Sequence, residues 1–348
     1  MLEKFRPSSY VATAELVDLF TEHLRLCKVT EHEHVLIHSD SGTYPHYPAA
    51  FIGAAQRLGA DVFQIVHPIG PERAAVDAWK RADLVIDASS GAHAYGHIIR
   101  ESMDSGTRIL RMAVAEDVIR RLTPTQEMRD RVEAGREYMD KATTMRITSP
   151  AGTDLTLYKE GRGALGIYSV SDVPGRWDIW PAGMVNCAPI EDKGDGVLVL
   201  EVGDMMLVLQ QYVHERVYME VENGAITKIS GGLEADLLRE WFSRFRDPNA
   251  YRISHVGWGC ERRANWLKPG QDNECYYANM QIAFGANVGI FPGARTVSAA
   301  HHDFPCRNNA YWCDETQIMA DGEFLIDELK YKDDGDATGE GQFPRGAF

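Results

Sequence analysis

Residues 298–308 read SAAHHDFPCRN, a stretch that sets two imidazoles and a carboxylate side by side. Imidazole nitrogen and carboxylate oxygen are ligands for divalent transition metals, and the same groups form acid–base dyads. In an extended segment residues i and i+2 project to one side, so His301 and Asp303 can grip one ion while His302 faces away. Taken alone, the pair is a weak signal, since H-x-D arises by chance, and a catalytic dyad or a polar loop competes with metal ligation. A third donor stands in ISHVGWG (253–259), where His255 lies in a Gly-rich apolar run that reads as a strand entering a turn. A core histidine bonded to backbone is the competing account of His255. Its company argues otherwise, because the Gly-punctuated MQIAFGANVG (280–289) and then SAAHHD follow downstream. Two histidines and one aspartate from separate segments have the composition of the 2-His-1-carboxylate facial triad of non-haem Fe(II) oxygenases. That triad leaves coordination positions open for substrate and O2.

Other chemistry-bearing residues lie earlier. His93 and His97, in SSGAHAYGHIIRES (89–102), are spaced i, i+4 after the third apolar run. Chain segments that follow the strands of a doubly wound sheet are where its ligands bind. No H-E-x-x-H glutamate accompanies the pair, so one histidine as acid/base fits better than zinc ligation; His93 is the candidate and His97 the reserve. GRGALG (161–166) matches G-x-G-x-x-G, but both flanks, TDLTLYKE and IYSVSDV, read as strands. A dinucleotide site needs a strand before and a helix after, so a Gly-rich hairpin connection is expected instead. Trp177, Trp180 and Trp258 are candidates for walling an aromatic pocket, with core packing as the commoner use of tryptophan.

These groups must be positioned by two halves of different rhythm. HVLIHSD (34–40), DVFQIVH (61–67), DLVIDAS (83–89) and TRILRMA (107–113) are short apolar runs, separated by helical stretches such as YPAAFIGAAQRLGA and AAVDAWKRA. Such alternation predicts a buried parallel sheet in an open, doubly wound α/β domain over residues 1–142, closed by a helix within TPTQEMRDRVEAGREYMDKA. From 143 to 348 hairpins take over. Asn223-Gly224 and Asp321-Gly322 each separate two alternating runs, and one helix, EADLLREWFSRF (234–245), stands between them. This half reads as α+β and metal-binding, ending in an acidic, Gly-rich tail expected to be loose or docked on a partner.

The chain has 348 residues and a formal charge of −15, with no block of Lys/Arg, which argues against nucleic-acid or anionic-membrane partners. No apolar run of membrane-spanning length and no signal-peptide core is present. Six scattered cysteines with no C-x-x-C favour reduced thiols in a cytoplasm over a disulfide scaffold.

The C-terminal half resembles the aminopeptidase T family of metallopeptidases, and more closely its oxygenase relatives, the 2,5-dihydroxypyridine 5,6-dioxygenases. The resemblance covers most of the chain, including DLVIDA and SGTRILRM, and is sharpest between residues 178 and 303. The peptidases hold two metals through a glutamate in P-x-G-E, another in E-x-G-x-G, a histidine in H-x-A-x-G and a closing H-x-D. Here Met184 of PAGMV stands at the first glutamate, His255 of HVGWG at the second, and Gln281 of QIAFG at the histidine, while His301 and Asp303 persist. Two close divalent ions need carboxylates to offset their charge, and methionine and glutamine do not supply them. One site with two imidazoles and one carboxylate survives.

The resemblance implies an Fe(2+)-dependent, cytoplasmic, ring-cleaving dioxygenase that takes a small aromatic substrate and O2, in pyridine (nicotinate-type) catabolism. Its expected substrate is 2,5-dihydroxypyridine and its expected product N-formylmaleamate. His255, His301 and Asp303 are the expected ligands, and a homo-oligomer is the expected assembly. The alternatives are a mononuclear zinc hydrolase or aminopeptidase-like metallopeptidase on the same scaffold, since zinc also accepts two imidazoles and a carboxylate, and a catalytically dead binding module.

Overall fold

The computed structural model describes residues 9–67, 73–91 and 95–331. The chain divides into two compact units, residues 1–123 with 169–181 and residues 124–168 with 182–348.

The first unit is built on a five-stranded parallel sheet in the order Asp61–Val66, His34–Ser39, Leu84–Asp87, Arg108–Arg111, Trp177–Ile179. The first four strands are those the apolar runs predict. Leu84–Asp87 is buried at every residue, as a strand covered on both faces must be, and the edge strand Asp61–Val66 is the exposed exception. Helices Tyr47–Arg57 and His97–Asp104 pack on this sheet. At the carboxyl end of the strands, Asp40 accepts hydrogen bonds from the backbone and hydroxyl of Ser90, both at 2.9 Å. Arg111 donates to Asp87 at 2.8 Å. The fifth strand comes from much later in the chain, with Asp178 buried at its centre and held by the Ser169 amide at 2.8 Å and by the Arg176 guanidinium.

The second unit is antiparallel. An eight-stranded sheet runs Ala225–Gly231, Val217–Glu222, Gly194–Leu200, Asp154–Tyr158, Thr144–Thr148, Ala310–Cys313, Thr316–Ala320, Glu323–Phe324. Both expected hairpin turns are present, with φ of 50° and 72° at Asn223-Gly224 and 52° and 71° at Asp321-Gly322, the left-handed pair a two-residue turn requires. The expected helix between them forms at Leu233–Ser243. GRGALG does connect two strands, but Asp154–Tyr158 and Leu165–Ile167 enter different sheets, so it is no hairpin.

A second, five-stranded antiparallel sheet runs His301–Cys306, Met280–Gly285, Ile253–Gly259, Met184–Cys187, Leu165–Ile167. Helix Gln126–Lys141, capped by the Thr125 hydroxyl at 3.1 Å from the Met128 amide, packs against its last two strands. The 142/143 division drawn from the sequence assigns this helix to the first half, whereas it stands in the second unit. Its Gly135 lets it approach closely: a Cβ there would lie 3.1 Å from Val185 and 3.3 Å from the Trp258 ring. The acidic tail lies outside the described residues.

Candidate metal centre

Three neighbouring strands of the five-stranded sheet carry the centre. Their register places His255 opposite Ala283, Ala283 opposite Asp303, and Gly285 opposite His301. One face therefore presents His255, Asp303 and His301, with only a methyl group between the first two. The pairing shifts between Ile253 and His255, a bulge that leaves Ser254 as the extra residue. As bulges do beside sites, it re-aims its neighbours: the Ser254 hydroxyl and the His255 ring both reach the centre.

His255 Nε2 lies 3.1 Å from Asp303 Oδ1, and His301 Nε2 lies 3.1 Å from Asp303 Oδ2. One ligand atom from each of the three residues falls within 4.8 Å of the others. Two ligand atoms each about 2.1 Å from one ion and at right angles are about 3 Å apart, which is the spacing each imidazole keeps from the Asp303 carboxylate. The tautomer of His301 suits the task, because its Nδ1–H donates to the Ala286 carbonyl at 2.9 Å and its Nε2 points to Asp303. The Ala286 carbonyl is itself held by the Ser254 hydroxyl at 2.6 Å. Burial works to raise the Asp303 pKa, but the two imidazoles outweigh it and hold the carboxyl well below the usual carboxylate range. Burial lowers the His255 pKa and favours the neutral imidazole that a metal needs, a shift that the Asp303 carboxylate partly counters.

His302 takes the other face, as the alternation requires. Its ring is fully buried, stacked 4.3 Å from Phe304 and edge-on to Trp241 at 4.7 Å. Trp258 is also on the far side, three residues from His255, buried against Tyr311 at 5.0 Å. It packs the core of the second unit and does not wall the centre, which corrects the pocket role expected for it. Trp180 is enclosed in the first unit, stacked on His23 at 3.8 Å, with its indole N–H donated to the Leu122 carbonyl at 3.1 Å. The face and the N–H of that ring are thus both occupied by packing. Trp177 is buried in the fifth strand of the same unit. His97 is exposed at the first position of its helix, and His93 lies outside the described residues.

Three neighbours were not legible as site residues. Ser254 needed the bulge to be known. Glu274, in the short helix Gln271–Cys275, has its pKa raised well above the ordinary range by burial and then by the charge of Asp303. Asn186 reaches the ligand face only through the register of Met184–Cys187 with Ile253–Gly259.

The family model for 2,5-dihydroxypyridine 5,6-dioxygenase matches residues 15–326. The chain belongs to that family. The 2,5-dihydroxypyridine 5,6-dioxygenase of Pseudomonas putida is 32% identical, the match covering 91% of this chain and 98% of that protein. A solved structure of 2,5-dihydroxypyridine dioxygenase from the same organism superposes with a TM-score of 0.85 at 31% identity, covering 91% of this chain and 99% of that one. AmpT from Thermus thermophilus shares the fold, with a TM-score of 0.63 at 15% identity over 90% of this chain and 99% of its own. Membership of the dioxygenase family agrees with a donor set of two imidazoles and one carboxylate. Among the described residues no other group of three His, Cys, Asp or Glu side chains converges in this way, and no helix is long and apolar enough to cross a membrane.

Proposed function

We propose that this chain is an Fe(II)-dependent dioxygenase that cleaves 2,5-dihydroxypyridine between C5 and C6, adding both atoms of O2 to give N-formylmaleamate. The observation that carries the reading is the convergence of His255, His301 and Asp303 on one sheet face, in a member of the 2,5-dihydroxypyridine 5,6-dioxygenase family. These three residues would hold the iron, which when bound supplies open positions for the substrate hydroxyl and O2 and a path for electrons between them.

The chain's own groups do the rest. The Ala286 carbonyl orients His301, and Ser254 holds that carbonyl in place. His93 takes the proton of the ring hydroxyl, with His97 as the reserve, because imidazole is the side chain suited to accepting such a proton at neutral pH. Neutral amide and thioether side chains at Gln281 and Met184 support one ion rather than two, which separates this reading from a two-metal hydrolase. Six free, buried cysteines support a reducing, cytoplasmic setting. The exposed apolar side chains Phe63 and Val66 on an edge strand support a homo-oligomer.

The test is metal analysis of anaerobically purified protein, with oxygen uptake followed on adding 2,5-dihydroxypyridine. One iron per chain and one O2 consumed per ring are expected. Zinc in place of iron, with no oxygen uptake after iron is supplied, would turn the assignment to a mononuclear hydrolase.

A further inference from the structure

One two-residue step along the strands from the metal ligands, the same sheet face carries a second polar cluster. Gln281 and Asn186 stand opposite Gly257 from its two sides, where His255 stands opposite Ala283. Both amides are 2% exposed. Asn186 Nδ2 donates to Gln281 Oε1 at 3.4 Å and to the Met184 sulfur at 3.8 Å, and Gln281 Nε2 donates to the same sulfur at 3.4 Å. Normal N–H···O bonds are about 2.9–3.0 Å, and a thioether is a weak acceptor. Asn186 Oδ1 is buried and has no hydrogen-bond partner among the described residues.

Buried amides are nearly always well paired, so an orphan acceptor beside under-used donors calls for an explanation. The backbone makes room for it. A Cβ at Gly257 would lie 1.8 Å from the Val185 carbonyl and 2.4 Å from Asn186 Oδ1, so only glycine admits the amide where it stands. The cluster offers one free acceptor and weakly used N–H donors side by side. Its complement is a ligand edge with an N–H next to a carbonyl.

We propose that Asn186 and Gln281 recognise the lactam edge of the substrate ring, an inference that rests on the dioxygenase reading above. A 2-hydroxypyridine in its pyridone form presents a ring N–H beside the C2 oxygen. Asn186 Oδ1 accepts from the ring N–H, and Gln281 Nε2 donates to the C2 oxygen. Positions 2 and 5 are para on the ring, so a substrate held by this edge sends its 5-oxygen away from the amides. Two residues of strand rise, about 6.8 Å, separate the amide row from the ligand row, a distance such a ring can bridge. The two amides are therefore specificity residues, which select a pyridone over a plain phenol and fix which carbons face the metal.

The test uses iron-loaded, full-length protein, anaerobic for binding and aerobic for turnover. Two competitive probes divide the substrate. 2-Pyridone has the lactam edge without the 5-oxygen, and phenol has a hydroxyl without the edge. Asn186→Leu and Gln281→Met should each raise the KM for 2,5-dihydroxypyridine and the Ki of 2-pyridone about 10-fold or more, the usual worth of a buried hydrogen bond lost with its partner left unpaired. The Ki of phenol and the iron content should change little, while kcat falls to the extent that the ring loses its orientation. The ratio of the two Ki values within one variant is independent of how much of it folds. An unchanged 2-pyridone to phenol ratio in both variants, with wild type active, overturns the inference alone. A wild type that consumes no O2 with 2,5-dihydroxypyridine overturns the dioxygenase reading, and the inference with it.

Discussion

The two faces of the five-stranded sheet put the same residue types to opposite uses. On one face His255 and His301 meet Asp303, and Asn186 and Gln281 stand beside them. On the other, His302 is packed among Phe304, Trp241 and Phe242, and Trp258 meets Tyr311. Adjacent histidines thus differ in kind: His301 has its Nδ1–H engaged by a carbonyl, whereas neither nitrogen of His302 has a partner among the described residues. Side-chain type marks a candidate, and the period-2 alternation of the strand decides whether it is chemistry or packing.

The sharpest way to break that distinction is to delete ligands. His255→Ala, His301→Ala and Asp303→Ala should each abolish iron retention and turnover while leaving the circular dichroism of the fold unchanged. Each removes one of three protein ligands, too large a share for the site to hold Fe(II) in dilute buffer. Stoichiometric iron in His255→Ala would remove His255 from the ligand set.

His93→Ala comes next. Iron should stay and turnover fall roughly 10²–10⁴-fold, with partial recovery at higher pH as the ring hydroxyl ionises unaided. If turnover holds while His97→Ala is dead, the reserve histidine is the base. Ser254→Ala should act more gently, weakening iron binding about 10-fold, as loss of a group that orients a ligand typically does. Competition with a chelator of known affinity measures it, and identical iron affinity would show that the Ala286 carbonyl needs no help.

The smallest effect tests the far face. His302→Phe should keep both iron and turnover and alter only the response to acid. Burial pushes the His302 imidazole down to about 3 from its ordinary value of 6.5. Between those values the unfolded chain binds a proton that the folded chain refuses, so stability falls as the pH drops through that window. Removing the imidazole should flatten the slope of melting temperature against pH there. His23, also pushed down to about 3 by burial, preserves part of it. An unaltered slope would mean that His302 is accessible to protons in the folded state.

Much of this was readable in advance because the signals are local. The four apolar runs give the parallel strands, and paired left-handed turn residues give the hairpins. The H-x-D spacing works because residues 301–306 are extended. What was not readable depends on partners distant in sequence. Trp177–Ile179 is three residues long with a carboxylate at its centre, and nothing in its pattern marks a strand. The amphipathic period of Gln126–Lys141 declares a helix but not which sheet it covers. Asn186 and Ser254 gain their meaning from register and from a bulge, neither of which composition encodes.

The strand Trp177–Ile179 also sets a timetable. It pairs with Arg108–Arg111, yet about 65 residues separate them, and much of that interval belongs to the second unit. The chain enters the first unit, leaves it, returns for residues 169–181 and leaves again. A ribosome making this protein from the N-terminus, at roughly 5–20 residues per second, therefore delivers four strands of the first sheet seconds before the fifth exists. Through that interval the edge of Arg108–Arg111 stands open, with unpaired backbone groups able to recruit a neighbouring nascent chain. A fragment ending at residue 142 would keep that edge open permanently, so cutting the gene at the point where the sequence rhythm changes should yield an aggregating product rather than a free-standing domain.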